Sequence, residues 1–237
     1  MVLFRTLLVW LLGLPITIFL FLIILISLLF ERQGKAIHSI GSFWSRIILG
    51  LAGVKVKVSG IENIPKGQPV IFLSNHQGAF DIPALQGYIP AQFRWVAKKS
   101  LFKIPIIGWS MTLAGYIGIE RESATAAFRS MIAAAKKIKS GTSVLVFPEG
   151  TRSHTDELLP FKRGAFMIAM KSAVPIVPMA IRGTGHIMER GSLLIKPANV
   201  TINIGKPIPT QGVDEKVLLE ESKKAIEAAY HNKSLAS

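Results

Sequence analysis

The 237-residue chain carries 28 Lys and Arg against 14 Asp and Glu, a formal net charge of +14, and it contains no cysteine. The absent cysteines exclude a disulfide framework, a thiolate nucleophile and a Cys-ligated metal site. The charge favours an anionic partner, whether nucleic acid, anionic lipid or a phosphorylated ligand; with 50% hydrophobic residues the chain can bury a sizeable core in one large or two small domains.

From Thr6 to Phe30 no residue is charged. At about 1.5 Å per helical residue this run spans a hydrocarbon core of roughly 30 Å. It is longer than the apolar region of a signal peptide, and its end, LLFERQGK, offers no small-residue cleavage site. A retained membrane helix is expected, with Pro15 able to kink or divide it. Residues 36–53, AIHSIGSFWSRIILGLAG, place Ile40, Phe43, Trp44, Ile47, Ile48 and Leu51 at helical spacing. This amphipathic helix either packs on the rest of the chain or lies in the membrane interface, with Trp44 near the headgroups and Arg46 snorkelling. Arg32, Lys35, Arg46, Lys55 and Lys57 follow the apolar run, whereas only Arg5 precedes it. That bias places the remaining chain on the cytoplasmic side of a cell inner membrane. Residues 1–53 are thus expected to anchor and 54–237 to form the working domain.

Beyond residue 53 the pattern alternates. VKVKV (54–58), PVIFLS (69–74), FRWVA (93–97), GYIGI (115–119), SVLVF (143–147), PIVPMAI (175–181) and VTINI (200–204) read as strands. PVIFLS and SVLVF are continuous apolar runs, as strands covered on both faces are. Helices are expected from Ser123 to Lys139, over 163–172 and over 214–230. Such alternation predicts an α/β fold, a mixed central sheet with flanking helices, whose ligands bind beyond the carboxyl ends of strands.

Two such ends are chemically unusual. PVIFLS runs into NHQGAFD (75–81), placing His76 and Asp81 five residues apart. On a continuous helix those side chains would diverge by about 140°, so they meet only if the chain turns, which Gly78 permits, before a helix that starts near Asp81 with Pro83 in its first turn. The carboxylate would then fix the ring's tautomer and leave the other nitrogen to take a proton. SVLVF runs into PEGTRS (148–153), which gathers Glu149, Thr151 and Arg152 around Gly150. Gly150 lets the backbone approach a ligand, and Arg152 can bind a phosphate bidentately. GYIGIER (115–121) puts a third cation, Arg121, after a strand.

These blocks resemble the glycerolipid acyltransferases. NHQGAFD is similar to their N-H-x4-D motif and FPEGTRS to their second signature. GYIGIER is similar to the intervening block that ends in a phosphate-binding Arg, and VPIVPMAI (174–181) to their apolar fourth block; AKKSLFKIPIIGW (97–109) also has the look of the family. The blocks lie in order over about residues 54–205, and the likeness is greatest to bacterial 1-acyl-sn-glycerol-3-phosphate acyltransferases. One departure is Gly78, where a Ser is common. The resemblance implies that His76 is the general base on the sn-2 hydroxyl of lysophosphatidic acid and that Asp81 orients it. It implies further that Arg121 and Arg152, with Lys98 or Lys99, hold the acceptor phosphate, and that Glu149 positions the glycerol or the arginines. Backbone N–H groups of Gly150 or Thr151 are the candidates for stabilising the oxyanion. The donor would be acyl-CoA or acyl carrier protein, with no other cofactor. A thiol leaving group with a pKa near 8.5 needs no metal, and the lack of a Cys nucleophile or G-x-S-x-G elbow fits one-step transfer. The basic excess would attract anionic membrane lipids and an acidic carrier protein.

Three alternatives stand beside this reading. The acceptor could instead be glycerol 3-phosphate, another lysophospholipid or a lyso-aminolipid, or the same His–Asp pair could serve a thioester or lipid hydrolase. His154, in RSHTDE, is a rival base, and His38, His186 and His231 read as structural or solvated. A nucleic-acid binder or other non-catalytic basic protein gives no reason for polar clusters at two strand ends, and no nucleic-acid partner is expected.

Overall fold

The computed structural model describes residues 1–120, 123–153, 155 and 157–231. In chain order it contains α1 (Val2–Ser27), α2 (Lys35–Ala52), β1 (Lys55–Ser59), β2 (Ile71–Ser74), α3 (Asp81–Tyr88), β3 (Arg94–Lys98), α4 (Ile107–Leu113), β4 (Ile117–Ile119), α5 (Ala124–Lys139), β5 (Val144–Val146), α6 (Arg163–Ser172), β6 (Ile176–Arg182), β7 (Asn199–Ile204) and α7 (Glu215–His231). The strands form one sheet in the order β1-β7-β6-β2-β5-β3-β4. Every neighbouring pair is parallel except β6 and β7. The expected α/β architecture with a mixed central sheet and flanking helices is the one observed.

The continuous apolar runs are explained by burial on both faces. Within β2, Phe72 joins a core cluster with Leu145, Leu49 and Leu85, under α2 and α3. Its neighbours Ile71 and Leu73 join a second cluster with Phe166, Ile138 and Leu218, under α5, α6 and α7. A side-chain period of two thus feeds two cores from one strand. The Ser123 hydroxyl accepts from Ala126 N–H at 3.2 Å, the N-cap expected for α5.

Helix α1 is continuous through Pro15, so the proline does not divide it. One stripe, Val9, Gly13, Leu20 and Ile24, is buried, while Leu3, Phe4, Leu11 and Phe19 are among many exposed apolar residues. The helix touches the rest of the chain near both ends. Ile195 N–H donates to Thr6 Oγ1 (2.9 Å) and Trp10 Nε1–H to the Leu193 carbonyl (3.0 Å); toward the other end, the Phe21 and Trp109 rings lie 6.0 Å apart. Between them Trp44 of α2 donates to Thr17 Oγ1 at 2.9 Å. The Arg5 guanidinium reaches the Gly50 and Leu51 carbonyls, closing the negative end of α2.

Helix α2 packs most of its predicted stripe, including Ile40, Trp44, Ile48 and Leu51, against core clusters and buries further positions besides. Ile37, His38, Ser45, Ile48, Leu49 and Ala52 are inside, while Phe43 is 58% exposed. The reason is that α2 lies between α1 and α3. On the α3 side, the Ser42 hydroxyl donates to the Gln86 carbonyl (2.8 Å) and Arg46 Nε–H to the Gly87 carbonyl (2.7 Å). Ser42 and Arg46 are thereby satisfied at positions that hydrophobic periodicity treats as solvent-facing.

Candidate active site

Strands β2 and β5 are parallel neighbours in the register Leu73 opposite Val146. His76 and Glu149 each lie three residues past that pair, so the sheet delivers both to the same level at its carboxyl edge. Asn75, buried between them and β6, donates to the Ile181 carbonyl (2.9 Å) and accepts Ile181 N–H (2.7 Å). Its amide thus extends the β2–β6 pairing by one rung and fixes where His76 leaves the sheet.

The turn expected after His76 is present, with Asp81 as the first residue of α3. Asp81 Oδ2 lies 2.6 Å from His76 Nδ1 and also accepts Gln77 N–H (2.6 Å) and Gly78 N–H (3.0 Å). The carboxylate is completely buried, so these donors replace water at Oδ2, whereas Oδ1 has no hydrogen-bond partner among the described residues. A carboxylate on Nδ1 keeps the proton there and leaves Nε2 as the basic nitrogen. Gly78 acts differently from expectation: it is not among the glycines at positive φ. Instead, a Cβ there would sit 2.8 Å from the Thr184 carbonyl oxygen. The loop after β6 presses on the turn, and a Ser would clash at this position.

The second motif grips His76 from the opposite side. Glu149 is buried, and its Oε1 accepts His76 N–H at 2.7 Å while Oε2 accepts Leu159 N–H at 2.9 Å. Burial pushes the Glu149 carboxyl above its ordinary range, and the two backbone donors pull against that. Ser153 N–H donates to the His76 carbonyl at 2.7 Å. Both backbone groups of His76 are therefore fixed by the PEGTRS segment. Gly150 adopts φ +70, with the Lys162 side chain packed against it, and its N–H donates to the Phe147 carbonyl at 3.1 Å. That bond occupies one of the two candidate oxyanion donors and leaves Thr151 N–H.

Sequence reasoning missed Phe147. Its ring lies parallel to the His76 imidazole, with centroids 3.9 Å apart and planes 5° apart, and Trp95 lies 5.5 Å beyond it. The only signal was the Phe that opens FPEGTRS. Gln77 was also missed: its Nε2 donates to the Tyr230 hydroxyl at 2.7 Å, tying the end of α7 to the residue beside His76.

His76 opens onto a cavity of about 1520 Å³, whose lining includes Lys98, Gly150, Thr151, Arg152 and His186. Arg152 is exposed at this site and makes no ion pair among the described residues. Lys99 is drawn away to Glu120 (2.9 Å). Arg121 and His154 lie outside the described residues. The cavity continues inward beneath α1, between Leu20, Trp44 and Ile107. It exceeds the roughly 300–1,000 Å³ of a typical small-ligand pocket, and its apolar extension suits a hydrocarbon chain. An imidazole held at Nδ1 by a carboxylate can take a proton from a hydroxyl, and Arg152, which has no ion pair among the described residues, lines the same cavity and suits a ligand that carries a negative group.

A family model described as Acyltransferase matches residues 55–182. A chloroplastic 1-acyl-sn-glycerol-3-phosphate acyltransferase of Brassica napus is 36% identical over 202 residues, covering 84% of this chain and 58% of the relative. The Saccharomyces cerevisiae protein named 1-acyl-sn-glycerol-3-phosphate acyltransferase is 36% identical over 177 residues, covering 73% of this chain and 58% of the relative. The chain thus spans less than two thirds of the length of the curated relatives it matches. The crystal structure of the 1-acyl-sn-glycerophosphate (LPA) acyltransferase PlsC from Thermotoga maritima superposes with a TM-score of 0.86 at 29% identity, covering 99% of this chain and 96% of that one.

Proposed function

The chain belongs to the acyltransferase family, and from that premise we propose that it moves a fatty acyl group from a thioester donor, acyl-CoA or acyl carrier protein, to the sn-2 hydroxyl of lysophosphatidic acid, giving phosphatidic acid. The observation that carries the reading is the His76 ring, bound at Nδ1 by a buried carboxylate and opening onto a cavity that continues as an apolar channel.

His76 Nε2 takes the hydroxyl proton as that oxygen attacks the thioester carbonyl. Asp81 stabilises the imidazolium so formed. The C–S bond breaks, and the leaving thiolate takes the proton back from His76 or leaves as the anion. Arg152, with Arg121 and Lys98, holds the acceptor phosphate, and Thr151 N–H supports the developing oxyanion. Glu149 serves through the backbone of His76 rather than by touching glycerol. The names of the relatives support the acceptor.

Helix α1 is long and apolar enough to cross a membrane, and one such helix suggests membrane association. We place the working domain on the cytoplasmic face and α1 in the leaflet that faces it, because the domain packs against α1 near both of its ends. A lipid acceptor could then enter the cavity without leaving the bilayer surface.

The test is an acceptor panel on the full chain in vesicles with one acyl-CoA. Lysophosphatidic acid should be preferred over glycerol 3-phosphate and other lysolipids. Thiol release that needs no acceptor would replace the reading with a hydrolase.

A further inference from the structure

The segment Ile187–Lys196 is a closed loop: Lys196 N–H donates to the Ile187 carbonyl at 2.8 Å, and Ser192 N–H to the Glu189 carbonyl at 3.1 Å. Ile187 and Ile195, at its base, are buried, whereas Leu193 is 69% and Leu194 43% exposed. The two leucines are displayed outward by a hydrogen-bonded frame rather than left loose. That frame is joined to α1, because Trp10 Nε1–H donates to the Leu193 carbonyl at 3.0 Å and Ile195 N–H to Thr6 Oγ1 at 2.9 Å. The exposed apolar side of α1 and the leucine pair are therefore neighbours at the N-terminal end of the helix. Arg190 stands on the same loop, Lys196 is at its base in an ion pair with Glu189 (2.7 Å), and Glu189, Arg190 and Ser192 line the cavity.

We propose that this loop is a second membrane contact. Leu193 and Leu194 insert among the acyl chains of an anionic bilayer beside α1, Arg190 lies at the level of the lipid phosphates, and the cavity wall is thereby held at the depth from which a lipid acceptor enters. An apolar tip beside cationic groups is the chemistry of an interfacial contact, and Trp10 at the joint is the residue type that settles at headgroup level. The proposal rests on the membrane association and lipid acceptor given above.

The chain has no cysteine, so Leu193→Cys and, as a control on the exposed end of α5, Lys139→Cys each accept a single polarity-sensitive fluorophore. On vesicles containing phosphatidylglycerol, the label at 193 should shift to the blue and be quenched by lipids brominated near the headgroup, while the label at 139 should do neither. A water-like signal at 193 would overturn the proposal. A blue shift that grows with protein concentration before vesicles are added would also overturn it, since a second copy of the chain would then cover the leucines. This readout stands even if the enzyme proves to act on another acceptor.

The second arm uses activity. Leu193→Asp combined with Leu194→Asp should lower kcat/KM for long-chain lysophosphatidic acid in vesicles about tenfold or more. It should leave kcat/KM for a short-chain, monomeric lysophosphatidic acid unchanged. Equal losses on both acceptors would assign the leucines to the fold and overturn the proposal. A wild-type chain inactive on both would instead sink the functional reading, leaving the fluorescence result to stand alone.

Discussion

Two histidines are at least partly buried, and their surroundings make them opposites. His76 has a buried carboxylate on Nδ1 and a ring face on Phe147. His38, on α2, is 2% exposed and has no carboxylate partner among the described residues; Gln86 Nε2 lies 3.3 Å from its Nδ1, and Phe93 meets it edge-on with centroids 4.7 Å apart. Burial, reinforced by the charge of Arg94, pushes the His38 pKa down to about 4. The same Gln86 accepts the Trp95 indole N–H at 2.6 Å and the Tyr116 hydroxyl at 3.3 Å, while burial pushes Tyr116 up. This cluster is built to stay neutral. A buried imidazole without an anion is a structural part; a carboxylate on Nδ1 is what the proposed base requires.

The contrast is most easily broken at His76. His76→Ala should lower kcat by about 10²–10⁴-fold with no change in thermal stability or membrane recovery. Asp81→Asn should approach that loss, because an amide can support the wrong tautomer. Wild-type-like turnover in either variant would remove the pair from the mechanism.

Glu149→Gln comes next. A Gln side chain can accept only one of the two backbone N–H groups that Glu149 holds, and its own NH2 would face the other. A loss of roughly 10–100-fold in kcat is expected, on the scale of about 1.5–3 kcal/mol for a hydrogen bond to a charged group. A raised acceptor KM with unchanged kcat would instead show that Glu149 touches substrate.

Phe147→Leu should reduce kcat about three- to tenfold, the scale of an aromatic contact of about 0.5–1.5 kcal/mol, with little change in KM. Phe147→Tyr, which keeps the ring face, should restore most of it. If Leu and Tyr behave alike, the stack only fills space.

The smallest effect on turnover belongs to His38. His38→Leu should leave kcat at pH 7 within about threefold of the wild type, yet change the pH dependence of stability. With its folded pKa below the unfolded value near 6.5, the unfolded chain binds the proton more readily. Stability should therefore be complete above about pH 6.5, fall as pH drops, and level off near pH 4, a loss of up to about 3 kcal/mol. Thermal melts in detergent across that window should show a shallower decline for His38→Leu than for the wild type.

Most of the elements were legible because each follows from local pattern. The strands around VIFL and VLV, the Ser123 cap and the helix over 163–172 are stated by apolar period and turn chemistry alone. Helix α4 was not legible: it is only seven residues long and begins after Pro105 and Ile106, the latter at φ 61, a backbone state that β-branched residues seldom adopt. The second buried face of α2, with His38 and Ser45, was not legible because helices lie on two sides of it, and periodicity marks only one apolar stripe.

At the site, the sequence by itself determined which chemistries were possible: an imidazole and a carboxylate separated by a turn, an arginine after a second buried strand, and no thiol. The spacing of the apolar runs also determined that both motifs would stand at strand ends. Only the tertiary structure decided how they cooperate. The Leu73–Val146 register put the two motifs level, so that Glu149 could reach the backbone of His76 and Phe147 its ring. Thr184 came close enough to Gly78 that the position admits no side chain, and α1 lay over the cavity instead of standing apart. These are contacts between residues tens of positions apart, and their energies depend on distance and orientation in space, which a local pattern of polar and apolar residues does not encode.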